Sequence, residues 1–212
     1  GGSTKSIVFY NNALFMNKLN VIDTTGFLEQ TFVELDIVDG QEFKGSVIKT
    51  DSVNYYSGSL FRYSNSGFYD VLTRVETING DLSIGYTVVK YDDNGDTLFT
   101  RVNRDTVPFF SILDIKESTD QGIIATGIIR KKPYDQGGHQ NILLIKLDSL
   151  GNELWRRDYG NTNDEEQGHS VDITPDGGYI LGGIRRVPGG NPWTSERPYV
   201  IKTDSLGNVE WE

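Results

Sequence analysis

The chain has 212 residues, of which 36% are hydrophobic; it carries no cysteine and a formal net charge of -10. That apolar content is enough for a core, and the cysteine count excludes disulfides, thiol nucleophiles and cysteine-based zinc sites. The acidic balance lacks the cationic footprint that phosphate backbones and anionic lipid require, and no apolar run is long enough to cross a membrane as a helix.

Twenty-four glycines, eleven tyrosines and ten phenylalanines, set in short apolar runs broken by Asp, Asn and Gly, predict strands throughout. Along the chain the first landmark is Asp23-Thr-Thr-Gly26, a degraded copy of a turn motif that becomes clear further on. Gly26 is followed after 41 residues by the strand-opening Gly67, whereas the later copies leave 27, so an insertion is expected near 38–56. Lys90-Tyr-Asp92-Asp-Asn-Gly95 is the second turn and leads to Phe99. Gly122 opens the next apolar run, and Lys146-Leu-Asp148-Ser-Leu-Gly151 turns the chain towards Trp155. Thr174-Pro-Asp-Gly177 is a hairpin turn before the apolar run from Gly178. Lys202-Thr-Asp204-Ser-Leu-Gly207 then repeats the turn 56 residues after its predecessor and leads to Trp211.

A period of about 56 residues carrying four short antiparallel strands matches one propeller blade. The predicted fold is therefore all-β, a partial β-propeller of four-stranded antiparallel blades. Residues 1–212 form a single propeller region of about three to four blades, cut mid-repeat at both ends. Other blades or a partner chain are then needed to complete the ring. Within each repeat Asp148 and Asp204 accept turn amides, Gly151 and Gly207 supply a positive φ, and Trp155 and Trp211 pack between blades.

Asp176-Gly-Gly-Tyr-Ile-Leu-Gly-Gly183, followed by Tyr199-Val-Ile-Lys-Thr-Asp-Ser-Leu-Gly-Asn-Val-Glu-Trp211, resembles the propeller repeats of secreted and cell-surface proteins of Bacteroidetes-type bacteria that use type IX secretion. The order of Asp148, Gly151 and Trp155 is more distantly similar to the tryptophan-docking repeats of quinoprotein-like propellers. The first resemblance implies an extracellular or cell-surface location. Neither implies a cofactor.

Asp92, Asn94 and Asp96 cluster oxygen ligands around a glycine turn, which would suit calcium, but the same residues occupy the ordinary hairpin turn of the repeat. The two histidines, His139 and His169, have serines near their repeat equivalents and read as solvated loop residues. In a four-stranded blade the loops joining strands two to three and four to one leave on one side. That side carries 130–141, 161–169, 185–197 and the expected insertion with Tyr55 and Tyr56. Trp193, Tyr134, Arg185 and Arg186 are the ligand candidates there, with the turns at Asp148 and Asp204 at the opposite end. A well-kept repeat without a catalytic motif favours a non-catalytic propeller that binds a protein or glycan at the cell surface. A glycan-active hydrolase or lyase is the alternative, since two catalytic acids can come from distant blades. A third reading is a subunit of a secretion or motility assembly.

Overall fold

The computed structural model describes residues 3–10, 13–21, 28–36, 42–49, 60–64, 67–78, 81–92, 96–105, 107, 109–187 and 196–212. Among these, sixteen strands form four antiparallel sheets of four strands each, joined in chain order. They are β1 Ser3–Tyr10, β2 Ala13–Val21, β3 Leu28–Asp36 and β4 Glu42–Lys49; then β5 Leu60–Ser64, β6 Gly67–Ile78, β7 Asp81–Tyr91 and β8 Thr97–Asp105. The third sheet is β9 Phe109–Glu117, β10 Ile123–Arg130, β11 Asn141–Leu147 and β12 Glu153–Tyr159. The fourth is β13 Glu165–Ile173, β14 Tyr179–Arg186, β15 Glu196–Thr203 and β16 Val209–Trp211. One 3₁₀ turn, Tyr134–Gln136, lies between β10 and β11. The predicted class is the one found: all-β, in four-stranded antiparallel blades.

The phase of the first blade differs from the sequence reading. β4 pairs with β3 and precedes β8 by one repeat length, with Asp36 standing 56 residues before Asp92 and Phe43 standing 56 before Phe99. The stretch assigned to an insertion near 38–56 thus holds a regular fourth strand, and β1 stands where a first strand belongs. Asp23-Thr-Thr-Gly26 falls between β2 and β3, outside the described residues; an Asp and a Gly three apart form too short a pattern to mark a phase by themselves.

The chain divides into two compact units, 1–104 and 105–212. In the first, the buried residues of β6 and β7 include Tyr69, Val71, Ile84, Tyr86, Val88 and Tyr91. In the second, β10 and β11 are buried along almost their whole length, as continuous apolar runs such as Ile123-Ile124-Ala125 and Ile142-Leu143-Leu144-Ile145 require. β12 is exposed or half-buried along all but its last residue and is an edge of its sheet. β13 packs across β9, β10 and β11, and its approach is closest at Gly168, where a Cβ would stand 2.4 Å from Thr126 Oγ1. Val171 N donates to Asp114 Oδ2 at 3.0 Å, linking the two first strands of this unit. Ile124, Ile142, Leu144 and Tyr159 of the third sheet then form one core with Val171, Tyr179, Leu181, Tyr199 and Ile201 of the fourth.

The repeated turns do what their residues dictate. Asp148 Oδ1 accepts from the amides of Leu150 and Asn152 at 2.9 and 2.8 Å, and Gly151 has φ 76°. Asp204 repeats this with Leu206 and Asn208, and Gly207 has φ 78°. The tryptophans depart from the expectation that both are largely buried. Trp155 is half-buried against the shared core, its ring centroid 6.0 Å from that of Tyr179, while Trp211 is 52% exposed. The difference follows from the packing: the fourth sheet covers Trp155, and no described element covers Trp211 to the same extent.

Candidate functional site

The sheets of the second unit have two unlike ends. The end that carries the short turns repeats a lysine clamp. Lys146 is buried and its Nζ donates to Ser118 Oγ at 2.6 Å and Asp120 Oδ1 at 2.8 Å. One repeat later, Lys202 is buried and reaches Asp176 Oδ2 at 2.9 Å and Glu210 Oε2 at 2.7 Å. Burial alone would raise the Asp120 pKa, but hydrogen bonds from Lys146, Ser118 and the Gly122 amide outweigh it and hold the carboxyl at about 2. This clamp is scaffold: it ties the end of a third strand to the first hairpin turn of the same blade. The repeat spacing of Lys90, Lys146 and Lys202 was the visible sign of it.

The opposite end, where the longer connections run, holds a cluster that does not repeat. Glu166, at the start of β13, is fully buried, and directly across the ladder stands Arg185 of β14. Arg185 Nε donates to Glu166 Oε1 at 3.1 Å and lies 3.9 Å from Asp164 Oδ2. Asn161 Nδ2 spans the same two acids, at 2.9 Å from Asp164 Oδ2 and 3.3 Å from Glu166 Oε1. The Arg185 guanidinium is stacked 3.7 Å from the centroid of the Tyr199 ring, which fixes its plane. Glu166 Oε2 is buried with no hydrogen-bond partner. It faces Gly160, where a Cβ would come within 2.6 Å of that oxygen. Burial raises the Glu166 pKa; Arg185 pulls it back, Asp164 pushes it further up, and the net shift is upward. Asp164 is 18% exposed and Arg185 28%, so these two form the solvent-facing part of the cluster.

One repeat earlier the same ladder position is Phe110 facing Ile129, both buried. Glu166 and Arg185 thus stand where the scaffold places an apolar pair. A buried ion pair usually contributes less to stability than the hydrophobic pair it replaces, so packing does not explain this exchange. It was legible only by aligning the repeats, and motif reading missed Asp164 and Glu166.

The residues expected from sequence fall as follows. Arg185 and Arg186 are at the long-loop end, remote from the turns at Asp148 and Asp204. Arg185 is built into the acid cluster, and Arg186 pairs with Glu196, Nε to Oε1 at 3.1 Å. Trp193 and Asn94 lie outside the described residues, as do the side chains of Tyr134, Tyr55 and Tyr56. Asp92 Oδ1 accepts from the Asp96 amide at 2.9 Å, the same capping bond that Asp148 makes; this places the calcium candidates Asp92 and Asp96 in the ordinary turn. His169 is exposed, with Nε2 at 3.2 Å from Gln167 Oε1. Among the described residues no three His, Cys, Asp or Glu side chains gather into a metal-binding group.

No protein-family model matches the chain, and no curated protein does. Among solved structures the chain is similar to that of a thermostable family-43 glycoside hydrolase, with a TM-score of 0.54 and 14% identity, over 97% of this chain and 73% of that one. That likeness supports the β-propeller fold. It also corrects the reading of a non-catalytic binding propeller drawn from the absence of a motif: a scaffold that fits nearly the whole chain is, in the solved neighbour, that of a glycoside hydrolase. A missing motif is weak evidence in this fold, because catalytic acids placed on separate blades leave no local signature.

Proposed function

We propose that the protein is a glycan-active hydrolase whose chemistry is centred on Asp164, with Arg185 and Glu166 beside it. The observation that carries this reading is the replacement of a buried Phe–Ile pair by a fully buried Glu166 and a partly exposed Arg185 at the long-loop end. The named activity of the structural neighbour supports it. Asp164, partly open to solvent and next to a guanidinium, is the carboxylate placed to touch a sugar. Arg185 offers N–H donors beside it for sugar hydroxyls. Glu166 is sealed from solvent and acts as a positioning residue: in its neutral form it leaves Arg185 to Asp164, and once ionised it competes for the same guanidinium. Glycoside hydrolysis needs a second solvent-facing acid on the other side of the scissile bond, which the propeller draws from another blade.

Hydrolysis of a panel of polysaccharides and chromogenic glycosides by the whole chain tests the proposal. We expect turnover of at least one substrate and a loss of about 10²–10⁴-fold in Asp164→Asn with the fold retained. Glu166→Gln is expected to shift the pH profile of kcat rather than abolish activity. No hydrolysis across the panel, or full activity in Asp164→Asn, overturns the assignment. Glycan polymers are met outside the cell, so the reading agrees with the extracellular or cell-surface location that the exported Bacteroidetes-type repeats imply. Recovery of the native protein in the cytosolic fraction of its host would count against that location.

A further inference from the structure

The turn-bearing end of the second unit holds a cleft of about 670 Å³ between the third and fourth sheets, within the roughly 300–1,000 Å³ of small-molecule sites. It lies far along the strands from Asp164 and Glu166 and shares no residue with them. Its apolar walls come from Trp155, Leu154, Pro175 and Tyr179; Asp120 and Ser205 line it as well. We propose that this cleft is a second carbohydrate site, one that holds a neutral sugar ring and takes no part in bond cleavage.

The polar groups of the cleft carry the argument. The lysine clamp uses only one oxygen of Asp120: Lys146, Ser118 and the Gly122 amide all bond to Oδ1. Oδ2 has no hydrogen-bond partner among the described residues, and the side chain is 56% exposed. No described group accepts a hydrogen bond from the Trp155 indole N–H or the Tyr179 hydroxyl, and neither atom is sealed from solvent. The residues that carry these two donors and this acceptor line the same cleft, beside its aromatic wall. The proximity of the two polar types is also felt electrostatically: burial, and after it the Asp120 charge, raise the Tyr179 pKa.

Charge selects among ligands that could use these groups. A cation would meet Lys146 Nζ, which lines the cleft 2.8 Å from Asp120, and it would leave both donors unused. An anion would meet the carboxylates of Asp120 and Asp176. A neutral sugar matches all three kinds of group: it carries a C–H face for an aromatic wall, hydroxyl oxygens that accept from N–H and O–H donors, and hydroxyl hydrogens to donate to Asp120.

Binding can be measured apart from turnover by using the Asp164→Asn chain. Calorimetric titration with neutral mono- and oligosaccharides, and with glucosamine and glucuronate as charged controls, is expected to show saturable binding of a neutral sugar. Trp155→Phe, which keeps an aromatic wall but removes the N–H, should weaken it by about fivefold, and Asp120→Asn by a similar factor, while Trp211→Phe leaves it unchanged. Circular dichroism confirms that each variant is folded. Absence of saturable binding by every neutral sugar, preference for either charged control, or unchanged affinity in both cleft variants overturns the proposal. None of these outcomes bears on hydrolysis by the wild-type chain.

Discussion

At one ladder position the third and fourth sheets diverge: Phe110 faces Ile129 in one and Glu166 faces Arg185 in the other. At the turn-bearing end of the same two sheets, by contrast, the Asp148 and Asp204 caps, the Gly151 and Gly207 bends and a Lys–Asp clamp at Lys146 and Lys202 recur. In a repeat protein the recurring polar groups are those the fold needs to close its turns. A polar pair that breaks the repeat, with its carboxylate fully buried, is held by something other than folding. That distinction separates scaffold from site here without any motif.

The sharpest way to break the comparison is to restore the repeat. Arg185→Ile alone leaves a buried carboxyl without its cation and is expected to cost about 3 kcal/mol, limited by the ability of Glu166 to take up a proton. The double change Glu166→Phe with Arg185→Ile recreates the third-sheet pair and should recover that loss or exceed wild type by about 1–3 kcal/mol, while lowering any hydrolytic activity. Urea denaturation of the three proteins decides it. A double variant less stable than Arg185→Ile would mean that the ion pair is structural.

The two tryptophans give the next largest contrast. Trp155→Ala is expected to destabilise by about 2 kcal/mol, below the roughly 3–5 kcal/mol of a fully buried aromatic because the ring is only half covered. Trp211→Ala should cost less than about 0.5 kcal/mol, as an exposed position does. Equal midpoints for the two variants would show that Trp211 is covered in solution.

A smaller effect separates the two lysine clamps. Asp120→Asn leaves buried Lys146 with only neutral acceptors, Ser118 Oγ and the Leu147 carbonyl. Its expected cost is about 1 kcal/mol, well under that of a sealed pair because Asp120 is half exposed. Asp176→Asn should cost less still, since Lys202 keeps Glu210 at 2.7 Å. A larger loss in Asp176→Asn, read from the same denaturation curves, would reverse the assignment of Glu210 as the second anchor.

Much of the scaffold was legible before the structure. Asp-x-x-Gly turns of period 56 located the strands of the last three blades, because a capped turn needs a short-range pattern that survives in the sequence. The first blade was misplaced by reading Asp23 to Gly26 as the same turn. Strand pairing, which is long-range, shows instead that the connection after Asp36 plays that part. The site was less legible. Arg185 is a ligand candidate by its place at the long-loop side, yet its partner Glu166 lies on the preceding strand, and the sequence does not say that the acid at 166 points inward. Only the repeat equivalence with Phe110 carries that information.

The smallest expected effects are in pH, and here the two ends should respond in opposite senses. Asp120 is ionised in the folded state with its pKa lowered from 3.8 to about 2. Its contribution is complete above about pH 4 and is lost as pH falls through about 2, because the unfolded chain binds the proton more tightly there. Glu166 is shifted the other way, above its ordinary 4.5, so the folded state binds the proton more tightly. Its contribution is complete below 4.5 and is lost as pH rises through the folded value. The difference in stability between wild type and Asp120→Asn should therefore shrink on acidification below about pH 4. That between wild type and Glu166→Gln should shift in favour of the variant as pH rises above 4.5. Parallel denaturation series from pH 2 to 8 resolve the two slopes. If Glu166→Gln tracks wild type across that whole range, the buried carboxyl titrates normally, and the pH-dependent positioning role assigned to it fails.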